Sequence, residues 1–258
     1  MAMMRSALIW FAGMVPASVA AVFGQRSALA RFFRPVFNWA LPDDFIEVTV
    51  RSGPARGIRI LIAPKGEKFY WTGAHEQHVQ DALARILDPG MSFWDVGAHA
   101  GFFSLLASRI VGYEGTVHAF EPQPDSRNRL VGGIGLNSAA NVTVHPIALS
   151  NFDGDAVLHR HAQSPMWSLV SQRGEADGVT VRCQMIDSVA EKLGAPDVIK
   201  IDAEGAELEV LRGGLETAGR AHPTLVVEFS AEGMVDQAKA LLPSYTFEYL
   251  GANHWLLR

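Results

Sequence analysis

The residues best suited to chemistry lie in short segments that each follow an apolar run typical of a strand. Asp95 opens an acid-x-Gly-x-x-x-Gly loop that ends at Gly101, and Glu121 follows 20 positions later. An acidic residue at this spacing binds ribose hydroxyls in nucleotide-binding folds. The loop can turn tightly and leads into a helix N-terminus, which binds anionic groups. The pattern predicts a site for a nucleoside-bearing ligand.

The loop differs from two better-known nucleotide-binding loops. A dinucleotide fingerprint requires G-x-G-x-x-G, and a P-loop requires Lys followed by Ser or Thr; neither pattern is present. A carboxylate at Asp95 suits a ligand with an amino group and a positive centre better than it suits a pyrophosphate. S-adenosylmethionine has both groups, and its own carboxylate suits the helix N-terminus. A dinucleotide-dependent oxidoreductase is the alternative enzyme class.

A later segment supplies candidate catalytic groups. Lys200 and Asp202 alternate along an apolar strand and share one face, and Glu228 ends the next strand. Transfer to an alcohol requires orientation of the reactants and a base or a metal. Asp202 could take the proton with Lys200 balancing its charge, a desolvated neutral Lys200 could be the base, or Asp202 and Glu228 could hold Mg²⁺. A structural ion pair is the alternative, and Glu204 and Glu207 could simply complement a helix dipole.

Strand and helix patterns alternate between these segments, which predicts a parallel doubly wound α/β sheet. A Gly-Ala-Asn turn near the C-terminus predicts a closing hairpin with an antiparallel strand. Ligands of such sheets bind at the carboxyl ends of the strands, where the candidate residues lie. The predicted strands cover 92–96, 116–120, 142–149, 198–201, 225–229, 246–250 and 254–257. The predicted helices cover 76–87, 102–111, 124–137, 207–211 and 236–242.

Composition excludes several classes of protein. The 258 residues include 22 Lys and Arg against 27 Asp and Glu, and 48% are hydrophobic. The chain is therefore not disordered, and its net charge of −5 argues against a general nucleic-acid partner. Its single cysteine, Cys183, excludes an intrachain disulfide and a cysteine-based zinc site.

The N-terminal region differs in composition from the rest of the chain. No charged residue lies between Ser6 and Gly24, and arginines flank this run. Residues 6–39 could contact a membrane surface, form a cleaved signal, or pack as helices on the protein itself. Residues 41–72 contain alternating apolar residues and turn sequences, which predict a small β appendage. The predicted regions are 1–40, 41–72 and 73–258.

Four sequence blocks resemble the FkbM family of S-adenosylmethionine-dependent methyltransferases. They are FWDVGAHAGFFSLLA, VHAFEP, NVTVHPIALSNFDGDAVL and IKIDAEGAELEVLRGG, in the order found in the family. The resemblance covers roughly residues 73–229 and includes an entry motif that ends at Glu76. This sequence departs from the family at His99, where Asn is commoner, and at Ala203, where Val is usual.

The resemblance implies a class I, Rossmann-like fold and O-methylation of a hydroxyl on a sugar, glycolipid, polysaccharide or polyketide-type acceptor. The expected cofactor is S-adenosylmethionine, with Mg²⁺ as an open question and no metal ligands assigned. The candidate cofactor-binding residues are Glu76, Asp95, Gly97, Ala98, Gly101, Glu121, Ser150 and Asp202, and the candidate catalytic residues are Lys200, Asp202 and Glu228. A non-catalytic, membrane-associated binding protein on the same fold is the other alternative.

Two further expectations concern the acceptor and the location. Residues 153–183 would lie over the carboxyl ends of the strands and contact the acceptor, and Trp167 could stack on a sugar ring or belong to the core. His159 and His161 alternate there, and are read as solvated edge residues rather than metal ligands. We expect a cytoplasmic protein held at the inner membrane face by residues 6–39, because arginines follow the apolar run. The oligomeric state stays open.

Overall fold

The computed structural model describes residues 44–160, 167–168 and 178–258. Contacts between Cα atoms divide the chain into two compact units, one ending at His75 and one beginning at Glu76. The described part of the first unit contains an antiparallel strand pair and one short helix. These elements are β1 Ile46–Thr49, β2 Arg59–Ile62 and α1 Lys68–Thr72. The candidate membrane segment, residues 6–39, lies outside the described residues.

The second unit alternates strands and helices over most of its length. Its described elements, in chain order, are α2 Gln77–Ile86, β3 Ser92–Val96, α3 Phe102–Val111, β4 Thr116–Phe120, α4 Pro124–Asn137, β5 Val142–His145, β6 Ile147–Leu149, β7 Gly154–Arg160, β8 Trp167–Ser168, β9 Gly178–Gln184, α5 Ile186–Leu193, β10 Val198–Ile201, α6 Glu207–Arg212, α7 Leu215–Ala221, β11 Thr224–Glu228, α8 Met234–Leu241, β12 Phe247–Gly251 and β13 His254–Leu257.

A seven-stranded sheet forms the centre of this unit, in the order β12-β13-β11-β10-β3-β4-β5. The five strands from β11 to β5 in this order run parallel, whereas β13 is antiparallel to both of its neighbours. If these strands are renumbered 1 to 7 along the chain, the order becomes 3-2-1-4-5-7-6. That is the doubly wound Rossmann order with a hairpin strand inserted at one side. The predicted α/β fold with a C-terminal antiparallel hairpin strand is confirmed.

The two faces of the central strands carry different residues at their carboxyl ends. Ile199 and Ile201 of β10 point to one face and belong to the main apolar core. Lys200 points to the other face, where its register partner on β3 is Asp95. Every residue of β10 is buried, because helices cover both faces of a parallel sheet. Alternation along the strands thus places charged groups on one buried face.

One predicted strand was wrong. Residues 142–149 form two strands in different sheets, with β5 in the central sheet and β6 paired to β9 in a four-stranded sheet of order β6-β9-β7-β8. Pro146 lies between them, and proline lacks the N–H that a sheet interior needs. The helices α1, α5 and α7 were not predicted. Among the described residues, no helix is long and apolar enough to cross a membrane.

Candidate active site

The loop after β3 packs against the neighbouring strand ends. The N–H groups of Gly97 and Ala98 donate to the carbonyl oxygen of Phe120, at 3.0 and 3.1 Å. Gly97 has φ +76°, and a Cβ there would lie 1.8 Å from the carbonyl oxygen of Asp202. A side chain at Gly101, φ +85°, would meet Leu130 at 2.2 Å. Both glycines are therefore required for the loop to approach β10 and α4.

Glu121 holds this loop from the end of β4. Its Oε2 accepts the backbone N–H of His99 and its Oε1 accepts that of Gln123, both at 2.8 Å. Burial raises the pKa of Glu121 to about 7, although the two N–H bonds oppose this shift. Each carboxylate oxygen has a second lone pair, so Glu121 can still accept two hydroxyl groups. The bond from His99 uses its backbone, so the departure from Asn at this position leaves the bond intact.

A buried ion triad connects β3 and β10. Nζ of Lys200 lies 3.1 Å from Oδ2 of Asp202 and 3.8 Å from Oδ1 of Asp95. Oδ2 of Asp95 accepts a bond of 2.6 Å from the hydroxyl of Ser104, and the ring of Phe103 covers the ammonium at 5.1 Å. Asp95 and Lys200 are almost completely buried. The triad confirms that Lys200 and Asp202 converge at the strand end.

The two carboxylates decide the charge of Lys200. Burial alone would lower its pKa, but Asp202 and Asp95 more than offset burial and raise the pKa above its usual value. Lys200 is therefore a cation at neutral pH. This disfavours the neutral-lysine base among the three arrangements and favours a carboxylate as the proton acceptor.

Glu228, at the end of β11, completes an acid pair with Asp202. Burial and then the adjacent Asp202 raise the pKa of Glu228 to about 8, and the two side chains are hydrogen-bonded. Two carboxyl groups at hydrogen-bond distance share a proton, since both cannot ionise without repulsion. At neutral pH Glu228 therefore holds a proton that it can donate to Asp202.

The two acids after β10 have different surroundings. Glu207 is buried and accepts bonds from the N–H groups of Gly205 and Ala203, at 2.8 and 3.2 Å, and from Ser230 at 3.2 Å. These bonds support the structural interpretation of Glu207 as a group that holds its loop. Glu204 is half-buried with φ +49°, and burial followed by Asp202 and Glu207 raises its pKa to about 7. Positive φ is uncommon for a non-glycine residue.

His254, at the start of β13, is a site residue that the sequence analysis missed. It lies opposite Glu228 in the antiparallel register, and its Nε2 is 3.2 Å from Oε2 of Glu76. Its Nδ1 is 3.0 Å from Nε2 of His78 and 3.0 Å from the carbonyl oxygen of Ala252. The available signal was a histidine directly after the predicted hairpin turn, but its partner depends on strand register.

The remaining candidates lie elsewhere or cannot be placed. Ser150 follows β6, and its N–H donates to the carbonyl oxygen of Gln184 at 2.9 Å. Ser150 is thus attached to the second sheet, whereas Glu121 follows β4 of the central sheet. His159 lies in β7, Trp167 is described only as a backbone position of β8, and His161 lies outside the described residues.

Within the described ranges, no group of three or more His, Cys, Asp or Glu side chains could hold a metal ion.

The comparison with protein families decides the family. Residues 95–249 match the family described as Methyltransferase FkbM domain, which is more than half of the chain. The chain belongs to the FkbM methyltransferase family. S-adenosylmethionine is the cofactor of this family. The predicted family and fold class are confirmed.

Two curated relatives of this FkbM protein are named as methyltransferases. It is 31% identical over 142 residues to the hexuronic acid methyltransferase AglP of Haloferax volcanii, a match that covers 52% of this chain and 55% of that protein. It is 25% identical over 176 residues to Methyltransferase 1 of Beauveria bassiana, covering 59% and 70% of the two chains. The match with AglP thus spans little more than half the length of that relative.

Solved structures show similar chains at low identity. The FkbM methyltransferase of Methylobacillus flagellatus has a TM-score of 0.49 and 16% identity, covering 73% of this chain and 46% of that one. The fibrillarin of Aeropyrum pernix, solved with bound S-adenosylmethionine, has a TM-score of 0.47 and 11% identity, covering 84% and 99%.

Proposed function

We propose that this protein is an S-adenosylmethionine-dependent O-methyltransferase that acts on a hydroxyl group of a sugar-type acceptor. The observation that carries the proposal is the acid pair of Asp202 and Glu228 beside the cation of Lys200. It lies at the same edge of the sheet as the loop held by Glu121, which is where ligands of doubly wound sheets bind.

The charges of the site fit a cationic cofactor. The acids Asp95, Asp202 and Glu228 are accompanied by the cation Lys200, with Glu204 nearby, so the strand edge is negative overall. Free lone pairs on the Glu121 oxygens suit the two hydroxyl groups of a ribose. S-adenosylmethionine supplies a methyl group bonded to a positively charged sulfur. We propose that Glu121 binds its ribose and that the loop from Asp95 to Gly101 lies against its methionine end.

The chain's own residues would manage the proton of the acceptor. The acceptor oxygen forms a bond to the methyl carbon as the carbon–sulfur bond breaks, and the hydroxyl proton must move to a base. Asp202, the partner of the protonated Glu228, takes this proton. Lys200 orients Asp202 through their 3.1 Å contact and balances its charge before the transfer. Glu228 stabilises the carboxylate of Asp202 through their hydrogen bond.

The same charges favour a neutral hydroxyl over a carboxylate as acceptor. An anionic acceptor would meet repulsion from Asp202 and from the ionised fraction of Glu204, and it would not need a base. The name of AglP supports the sugar class, and glycolipid, polysaccharide and polyketide-type acceptors are further candidates in the proposal. The dinucleotide-dependent oxidoreductase loses support, because the G-x-G-x-x-G pattern is absent and the chain matches a methyltransferase family.

Calorimetry tests the cofactor assignment. We expect the full chain to bind S-adenosylhomocysteine and not NAD. Glu121→Ala should weaken this binding by roughly tenfold to a hundredfold, which corresponds to about 1.5–3 kcal/mol for bonds to a charged group. Glu191→Ala is the control, since Glu191 is exposed on α5, which precedes β10. A folded protein that binds no S-adenosylhomocysteine would contradict the proposal.

Product analysis tests the acceptor class. Neutral hexosides and hexuronic acids are incubated with the protein and methyl-labelled S-adenosylmethionine. We expect label in a methyl ether, which survives alkaline treatment, rather than in a methyl ester, which does not. A base-labile product would contradict the hydroxyl assignment, and cofactor binding without transfer to any acceptor would favour the non-catalytic alternative.

The other assignments stay predictions. They include the three regions 1–40, 41–72 and 73–258, a cytoplasmic location with contact to a membrane through residues 6–39, and participation of Mg²⁺. Fractionation of the full chain, with and without high salt, would show whether the protein sediments with membranes. Activity after chelation, with and without added magnesium, would show whether a metal participates.

A further inference from the structure

The contacts of His254 define its protonation state. Its Nδ1 lies 3.0 Å from the carbonyl oxygen of Ala252, which can only accept, so Nδ1 carries a hydrogen. Its Nε2 lies 3.2 Å from Oε2 of Glu76. Without a hydrogen, Nε2 would point its lone pair at this carboxylate oxygen, and the two atoms would repel each other. A hydrogen on Nε2 turns this repulsion into a charge-assisted contact. Both nitrogens are therefore protonated, and the ring is an imidazolium.

The groups around His254 agree with this charge. Nε2 of His78, on α2, lies 3.0 Å from the same Nδ1 and must accept, so His78 is neutral. Burial and then the charge of His254 lower the pKa of His78. Burial alone would also lower the pKa of His254, but Glu76 and then Glu228 raise it above its usual value, while Lys200 on β10 opposes them.

The C-terminal hairpin brings this cation to the acid pair. His254 lies directly opposite Glu228 in the register of β13 and β11, and opposed side chains in an antiparallel pair share one face, about 5 Å apart at Cβ. Glu228 is hydrogen-bonded to Asp202 in turn. The imidazolium, the shared-proton acid pair and Lys200 thus form one row across three strands.

We propose that His254 is a positioning residue whose positive charge keeps the Asp202–Glu228 pair from holding two protons. The inference rests on the proposed methyl transfer, in which the acceptor O–H bond breaks and its proton joins the pair. The pair then holds one proton more than at rest and must release it to water before the next turnover. A neighbouring imidazolium favours that release, because it stabilises the carboxylate charge. Glu76 keeps His254 charged.

Carboxyl-carbon NMR titration of the full chain tests this role without an acceptor. Glu228→Gln identifies the Glu228 signal. In His254→Gln, we expect the titration midpoint of Glu228 to rise by about one pH unit, because a favourable charge is lost. His222→Gln is the matched control, since His222 caps α7 and stacks on Tyr245, and it should leave the midpoint unchanged. A folded His254→Gln variant with an unmoved Glu228 midpoint overturns the proposal.

A second variant decides the matter if His254→Gln does not fold. Glu76→Gln removes the countercharge, so the ¹⁵N titration midpoint of His254 should fall by about one pH unit, and a midpoint that does not fall overturns the proposal. S-adenosylhomocysteine binding separates this inference from the proposed function. Normal binding with unmoved midpoints contradicts the role of His254 alone, whereas moved midpoints in a protein that binds no S-adenosylhomocysteine contradict the proposed function.

Discussion

Asp202 contacts both a cation and an acid, which makes it the residue whose charge can be removed most informatively. It lies 3.1 Å from Nζ of Lys200 and is hydrogen-bonded to Glu228. Asparagine would keep the shape of the side chain but could not take a proton from an acceptor. S-adenosylhomocysteine has a neutral sulfur, so its binding does not need the charge of Asp202 and should survive this change.

We therefore expect Asp202→Asn to lower kcat about 10²–10⁴-fold, the usual contribution of a general base. The dissociation constant for S-adenosylhomocysteine should stay within about threefold of the wild-type value. Steady-state kinetics measure kcat with an acceptor found among the hexosides and hexuronic acids, and calorimetry measures the dissociation constant. Asp236→Asn, on the exposed side of α8, is the control. A decrease of only twofold or threefold would show that Asp202 is structural.

At the scale of elements, the loop between β3 and α3 and the strand end of β10 form one unit. The position of a Cβ at Gly97 is already occupied by the carbonyl oxygen of Asp202, a backbone atom that cannot rotate away. Gly97 is thus needed for contact between two parts of the chain, in addition to any contact with a ligand. Displacement of this loop would also disturb the backbone bond from His99 to Glu121.

The expected effect of Gly97→Ala is a loss of at least tenfold in S-adenosylhomocysteine affinity and of about 3 kcal/mol or more in the free energy of unfolding. Gly233→Ala is the matched control. Gly233 has a similar φ of +80°, but a Cβ there meets nothing within 4 Å, so only the backbone cost of about 1–2 kcal/mol applies. Urea unfolding and calorimetry compare the two variants. Equal losses in both would refute the steric argument.

At the scale of the whole molecule, buried acids set the pH dependence of stability. The pKa values of Glu121 and Glu204 are raised to about 7 and that of Glu228 to about 8, from an ordinary value of 4.5, chiefly because burial penalises their charged forms. Between pH 4.5 and about pH 8 these carboxyl groups hold protons in the folded state that they have lost in the unfolded state. The free energy of unfolding therefore falls as pH rises from about 4.5 to about 8. The raised pKa of His254 acts in the same direction, because its stabilising charge is lost as pH rises.

We expect Glu228→Gln to remove one part of this dependence. The free energy of unfolding of the variant minus that of the wild type should rise by about 1 kcal/mol from pH 5 to pH 9. Solvent screening of this partly exposed group keeps the rise small. Urea unfolding at the two pH values measures the difference. Glu232→Gln, at an exposed position, should show no such rise. A difference between variant and wild type that is the same at both pH values would mean that ionisation of Glu228 does not cause the pH dependence.

Local patterns were sufficient for most of the fold and part of the site. Strand alternation placed Lys200 and Asp202 on one face, and the spacing from Gly101 to Glu121 placed the acid at the end of the second parallel strand, as the structure shows. The failure at residues 142–149 was also local in origin, since Pro146 separates the alternating residues 142–145 from the apolar residues 147–149. These features depend on residues close together in the chain, whose periodicity is visible without tertiary contacts.

The sequence by itself determined the order of strands and helices, the loop from Asp95 to Gly101 and the acids that follow the strands. Only the tertiary structure decided which charged groups lie close enough to interact. His254 lies opposite Glu228 because of the antiparallel pairing of β13 with β11, and it contacts Glu76 because the fold brings segments that are far apart in the chain together. The charged state of Lys200 was likewise undetermined, because it depends on whether burial or two neighbouring carboxylates has the larger effect, and both are properties of the folded protein.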